Sequence, residues 1–152
     1  MDSIFFSFGG LPIHPLIVHI AVVILPLAAA TLIASIYSTR VRERFALVTL
    51  WAIGVGTFAT YIAKESGEAL AEEFGNPEKH ADYGSLLFSA SLALLAFSIN
   101  WYGSRKNPDK KIHKFLRHFA ALIAIVVIVL TVLTGHSGAA AVWEARIAFI
   151  TQ

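Results

Sequence analysis

The chain has 152 residues, 57% of them hydrophobic and 14% charged, with mean hydropathy +0.68 and a formal net charge of +2. Soluble domains run at about 45–50% apolar and about 25% charged, so a water-soluble globular domain is excluded and one integral membrane domain is expected. The absence of cysteine rules out disulfides, thiolate metal sites, iron–sulfur clusters and covalently attached c-type haem.

The first ten residues are rich in Phe (Phe5, Phe6, Phe8), end in Gly9-Gly10 and are expected at the membrane interface. They carry neither a basic n-region nor an A-x-A cleavage site, so the first span is expected to be retained. That span covers about 13–38. It contains no Asp, Glu, Lys or Arg, and its only strongly polar side chains are His14 and His19. Its length exceeds the roughly 20 residues that a spanning helix needs. Pro15 suits a first helical turn, and Pro26 is expected to kink the span.

After a short basic turn (Arg40, Arg42, Arg44) the second span covers about 45–63. Its small-residue stripe, Ala52, Gly56 and Thr60, allows close approach of another helix. The helical pattern continues through Glu65, Glu68, Glu72 and Glu73, so this helix is expected to project from the bilayer to about 74. Gly75-Asn76-Pro77 then reads as a helix stop, a cap and a first helical position.

The third span is expected over about 78–102, with His80 in its first turn and a small-residue stripe at Ser85, Ser89 and Ala93. A basic loop containing Asn107-Pro108-Asp109 leads to a fourth span over about 115–136, ending at Gly135-His136. No tandem repeat is evident in the sequence.

Basic residues orient the chain. Nine of the twelve Lys and Arg residues lie in the two connections after spans one and three and belong inside. They act as topology determinants, and no nucleic-acid partner is implied. The connection between spans two and three is acidic and is expected outside, with both termini. The fold class is therefore all-α, an up-down four-helix transmembrane bundle, multi-pass in a bacterial cytoplasmic membrane. Interfacial aromatics at both boundaries (Tyr37, Trp101 and Tyr102; Tyr61, Tyr83 and Trp143) agree with it.

This threading gathers His14, His19, His80 and His136 into one outer layer, although they are far apart along the chain. Ionisable groups in spanning segments are usually functional. Short connections make helices one and three diagonal in the bundle. His14 and His19 point about 140° apart at 3.6 residues per turn, so they do not both face one centre.

Three readings follow. In the first, two imidazoles ligate the iron of a b-type haem. His19, a turn deeper, is the preferred ligand with His80, and His136 is the alternative. His14 then acts behind the ligand or meets a propionate, and Gly84, Gly135 and Gly138 leave room for the porphyrin. In the second, histidines with Glu68 or Glu65 bind copper or zinc. In the third, these groups only tie helix ends together. His113 and His118 are expected at the inner headgroup boundary as a solvated helix start. Ser137 lacks a nucleophile context, and no hydrolase is read from it.

Three stretches carry a family resemblance: Gly10-Leu11-Pro12-Ile13-His14-Pro15 with Val18-His19; Ser66-Gly67-Glu68-Ala69-Leu70 followed by His80-Ala81-Asp82-Tyr83-Gly84; and Thr134-Gly135-His136-Ser137-Gly138. Together they resemble the bacterial membrane family called domain of unknown function 2231. The resemblance spans nearly the whole chain and implies a four-span bundle with an outer-face histidine site. Relatives joined to c-type cytochrome modules favour redox work. The sequence departs from the family pattern at Gly138-Ala139 and at Ala141-Val142-Trp143.

The expected function is thus electron transfer or redox sensing by a membrane protein that binds haem b. A redox partner protein and a homodimer are the expected associations beyond the lipid bilayer. Copper or zinc handling, or an accessory role in a respiratory complex, are the alternatives. No substrate pocket or turnover chemistry is read from the chain.

Overall fold

The computed structural model describes residues 7–8, 11–75, 77–106 and 111–150. The interfacial Phe5, Phe6, Gly9 and Gly10, the capping Asn76 and the Asn107-Pro108-Asp109 loop lie outside them. A minimal antiparallel pair, β1 (Ser7–Phe8) with β2 (Leu11–Pro12), precedes four helices: α1 (Ile13–Tyr37), α2 (Thr39–Phe74), α3 (Glu78–Ser104) and α4 (Lys111–Ile150). All four are long and apolar enough to cross a membrane.

The helix ends follow local chemistry. Ser38 separates α1 from α2 in extended conformation, and its hydroxyl accepts a hydrogen bond from the Val41 amide. Gly75 ends α2 at φ +92°, a backbone state open to glycine without steric cost. α1 continues unbroken through Pro26, and α2 runs as one helix through the acidic stretch. α4 begins at Lys111 rather than near 115 and continues past Gly135, His136 and Gly138 to Ile150. Gly135 and Gly138 are interior helical positions.

α1 packs on α2 and α4, and α3 packs on the same two helices. α1 and α3 are thus diagonal, as their antiparallel threading requires. The core is built largely from small side chains (Ala28, Ala29, Ala120, Ala124), with Leu25, Leu32, Ile53, Leu94, Val127 and Trp101 between them. Large apolar side chains point outward instead: Trp51 is 71% exposed, Val132 65% and Phe58 63%. In water that distribution would be costly. In lipid it is expected, because helices there associate through small residues and close backbone approach.

Gly56 illustrates the approach, since a Cβ there would lie 3.0 Å from Leu25 Cβ and 3.1 Å from its Cα. The other stripe behaves differently. Ser85 and Ser89 are exposed, and α3 turns Leu87, Ser91, Leu94, Ser98 and Trp101 inward. Near the bundle middle, Thr57 Oγ1 donates to the Ser91 carbonyl at 3.3 Å, and Thr60 and Ser91 hydroxyls meet at 3.1 Å.

The bundle contains a repeat that the sequence conceals. Each buried position of α3 has a buried counterpart in α1 at a constant offset: Ala21 with Leu87, Leu25 with Ser91, Ala28 with Leu94, Leu32 with Ser98 and Ser35 with Trp101. α2 and α4 correspond likewise, through Thr49 with Ala120, Ile53 with Ala124, Gly56 with Val127 and Thr60 with Thr131. Two helical hairpins, α1–α2 and α3–α4, therefore present matching faces to one another. Few of the paired residues are identical and the offset differs between the two helix pairs, so plain sequence periodicity does not show it.

Candidate functional site

Both hairpins carry the same polar cluster at the same end. His14 stands in the first turn of α1, and its Nδ1 lies 2.8 Å from the carbonyl of Ala63 on α2. His80 stands in the first turn of α3, and its Nδ1 lies 3.0 Å from the carbonyl of Thr134 on α4. A carbonyl only accepts, so each bond requires the proton on Nδ1 and leaves Nε2 with its lone pair.

Each carbonyl also receives a serine hydroxyl three residues on, Ser66 to Ala63 at 3.2 Å and Ser137 to Thr134 at 3.0 Å. Each hydroxyl is close to the matching imidazole too, at 3.5 Å and 3.4 Å. The following glycine makes room for the ring. A Cβ on Gly67 would lie 3.0 Å from His14 Cε1, and one on Gly138 would lie 2.9 Å from His80 Cε1.

The two clusters converge. The rings of His14 and His80 lie 5.9 Å apart between centroids, with their planes crossed at 88°, and both residues are half-buried. Two imidazoles from diagonal helices thus meet at one end of the bundle. The arrangement provides two uncommitted Nε2 lone pairs on rigidly held rings, at the mouth of an apolar bundle.

The family model described as "Predicted membrane protein (DUF2231)" matches residues 10–150, and so takes in both hairpins and the whole paired cluster. The chain belongs to this family. No curated protein and no solved structure matches it.

In this DUF2231 protein the other histidines stand elsewhere. His19 is exposed, and its Nδ1 bonds to the Pro15 carbonyl of its own helix. With His14 and His19 about 140° apart around the axis, the structure turns His14 toward His80 and His19 outward. His136 is exposed as well. Gly84 and Gly135 have no atoms within 4 Å of where a Cβ would stand, and Gly67 and Gly138 are the glycines that touch imidazole.

Glu68 is exposed and pairs with Lys64 at 2.6 Å, and Glu65 lies 3.6 Å from the same ammonium. Among the described residues no three His, Asp or Glu side chains converge as a metal-binding group. At the opposite end His113 is buried, 5% exposed, and its Nδ1 lies 2.9 Å from the Ser104 hydroxyl. It is therefore not part of a solvated helix start. His118 is exposed there, 3.4 Å from an Arg117 terminal nitrogen.

Sequence reasoning assigned no role in the site to Ser66, Gly67 or Ser137, and gave Gly138 only the role of leaving room for a porphyrin. The available signal was the Ser-Gly dipeptide, which occurs in corresponding positions of the second and fourth helices, each time three residues after the carbonyl that orients a histidine.

Proposed function

We propose that His14 and His80 hold the iron of one b-type haem, and that the protein serves in electron transfer or redox sensing. The observation that carries this reading is the doubly locked pair, each ring with Nδ1 engaged by a backbone carbonyl of the next helix. Metal-ligating histidines are commonly held so, since the outer hydrogen bond fixes the tautomer and raises the basicity of the ligating nitrogen.

The number of donors chooses between metals. Haem iron needs at most two axial ligands from the protein, whereas a structural zinc takes four. Two imidazoles without a third acid or histidine beside them, among the described residues, fit the first requirement. The haem would supply a one-electron couple at the mouth of the bundle.

The chain's own residues do the remaining work. The Ala63 and Thr134 carbonyls aim the rings, and Gly67 and Gly138 let α2 and α4 close against them. Beneath the pair, the buried hydroxyls of Thr60 and Thr131 are engaged by carbonyls of their own helices. The excess of Lys and Arg at the other end supports an orientation with the histidine end on the outer face of the cytoplasmic membrane.

The test is the visible spectrum of the protein purified in mild detergent after haem-supplemented expression. A Soret band that shifts on dithionite reduction is expected. A colourless protein carrying stoichiometric copper or zinc would overturn the haem assignment, and a colourless metal-free protein would reduce the pair to a structural tie.

A further inference from the structure

The outer surfaces of the two hairpins are not equally complete. Between α1 and α2 lies a groove of about 360 Å³. α1 contributes Ala28 and Thr31 to its walls, and α2 contributes Val48, Thr49 and Ala52. It opens at the bundle surface, where Val48 is exposed.

The repeat shows what this place holds in the other hairpin. At the same offsets Thr31 corresponds to Phe97 and Val48 to Phe119. Those two rings stack at 5.8 Å between centroids, with 16° between their planes. The α3–α4 hairpin thus fills the position with its own aromatic pair, whereas threonine and valine leave it open in α1–α2. An unfilled gap forfeits dispersion contacts, and packing of that kind is what drives helix association in lipid.

An aromatic ring without a partner stands on the same helix. Trp51 is 71% exposed. It lies about 100° around α2 from Ala52, beside the groove and not in it. Two turns beyond Arg44, it is about 10 Å further along the helix at 1.5 Å per residue, deeper than the interfacial belt where indoles usually sit. No described residue accepts a hydrogen bond from its indole N–H, and hydrocarbon offers no acceptor. The groove does. Thr31 Oγ1 donates to the Leu27 carbonyl at 2.7 Å and keeps its capacity to accept, and Thr49 Oγ1 has no partner.

Symmetry brings the two features together. Copies of one chain share an orientation in the membrane. A two-fold axis relating them therefore runs along the membrane normal and places equivalent residues at equal depth. Trp51 falls between Val48 and Ala52 in the sequence, so its depth is that of the groove.

We propose that the protein forms a homodimer in which Trp51 of each copy occupies the α1–α2 groove of the other, its indole N–H on a threonine hydroxyl. The second copy's indole then fills the groove as Phe97 and Phe119 fill its counterpart. This surface is distinct from the histidine pair and does not depend on what that pair binds.

The experiment measures the mass of the full chain by sedimentation equilibrium in mild detergent. Wild type is expected to be dimeric. Trp51→Ala should weaken dimerisation about tenfold or more. The double variant Thr31→Phe with Val48→Phe, which copies the aromatic pair of α3–α4 into the groove, should weaken it as much while its thermal midpoint holds or rises. Val132→Ala, 65% exposed on the diagonal helix α4, should leave the dimer unchanged. If the double variant loses helical content by circular dichroism, Trp51→Ala at its exposed position decides alone.

With both variants folded, mixing them is the sharper readout. One keeps the groove and the other keeps Trp51, so one of the two contacts re-forms, and differently tagged copies should co-purify better than either variant does with itself. A dimer undiminished in Trp51→Ala, or no gain on mixing, would overturn the proposal. So would a monomeric wild type that retains phospholipid lost from the groove-filled variant, a result that assigns the groove to an acyl chain.

Discussion

The two ends of the bundle are made from the same kinds of residue and treat polarity in opposite ways. At the histidine end Ser66, Ser137, Thr134, His14 and His80 all find partners across or along the helices. At the basic end Ser35, Ser98, Trp101 and Arg117 each bury an atom without one. The repeat relates one hairpin to the other within each end, so both hairpins share the contrast between the ends. A satisfied cluster rigidifies its surroundings, whereas a buried polar atom without a partner costs stability.

The largest effects should come from breaking the satisfied end. His14→Ala or His80→Ala removes one of two crossed rings and leaves its carbonyl with the serine hydroxyl and the amide of its own helix. Each should abolish haem binding outright in the spectrum of the purified variant. His136→Ala, at an exposed position, should leave that spectrum unchanged.

Glycine substitutions sharpen the same contrast. Ala favours a helix over Gly by about 0.8–1.0 kcal/mol, so Gly84→Ala and Gly135→Ala, with open space beside them, should be neutral or raise the thermal midpoint. Gly67→Ala and Gly138→Ala gain the same propensity but push a methyl to 3.0 Å and 2.9 Å from an imidazole carbon. Those rings are held by hydrogen bonds and have little freedom to yield. Both variants should lose haem affinity, and their thermal midpoints should not rise.

Smaller still, and opposite in sign, are the serine deletions. Ser66→Ala and Ser137→Ala each remove a made hydrogen bond and should cost about 0.5–1.5 kcal/mol. Ser35→Ala and Ser98→Ala remove hydroxyls that have no partner, and they should be neutral or stabilising by up to about 1 kcal/mol. Thermal melts of the four variants in one detergent check the sign at each end. Equal destabilisation at both ends would refute the distinction drawn between them.

Much of this architecture is legible in the sequence. Charge-free runs bounded by Arg and Lys mark the spans, and their threading alone brings His14 and His80 to one end. The face that each histidine shows is not legible. α1 is apolar on every side, so no amphipathic stripe says which of His14 and His19 turns inward. Depth argued for His19, whereas the Ala63 carbonyl on α2 supplies the partner for His14.

The end of α4 was hidden for a related reason. Gly135-His136 was taken as the end of the span, yet the helix runs on, and Gly138 within it lies against the His80 ring. Ser85 and Ser89 show the converse, a stripe of small residues that faces outward while Ser91 and Ser98 turn in. The repeat escaped detection because packing fixes residue size at a level, and rarely identity.

The central claim is that His14 and His80, rather than any other pair, grip one prosthetic group. Reduced-minus-oxidised spectra of the His14→Ala, His80→Ala and His19→Ala variants, purified side by side, test it most directly. The expected result is no haem signal in the first two and the full wild-type signal in the third. A full signal in His14→Ala together with its loss in His19→Ala would contradict the account.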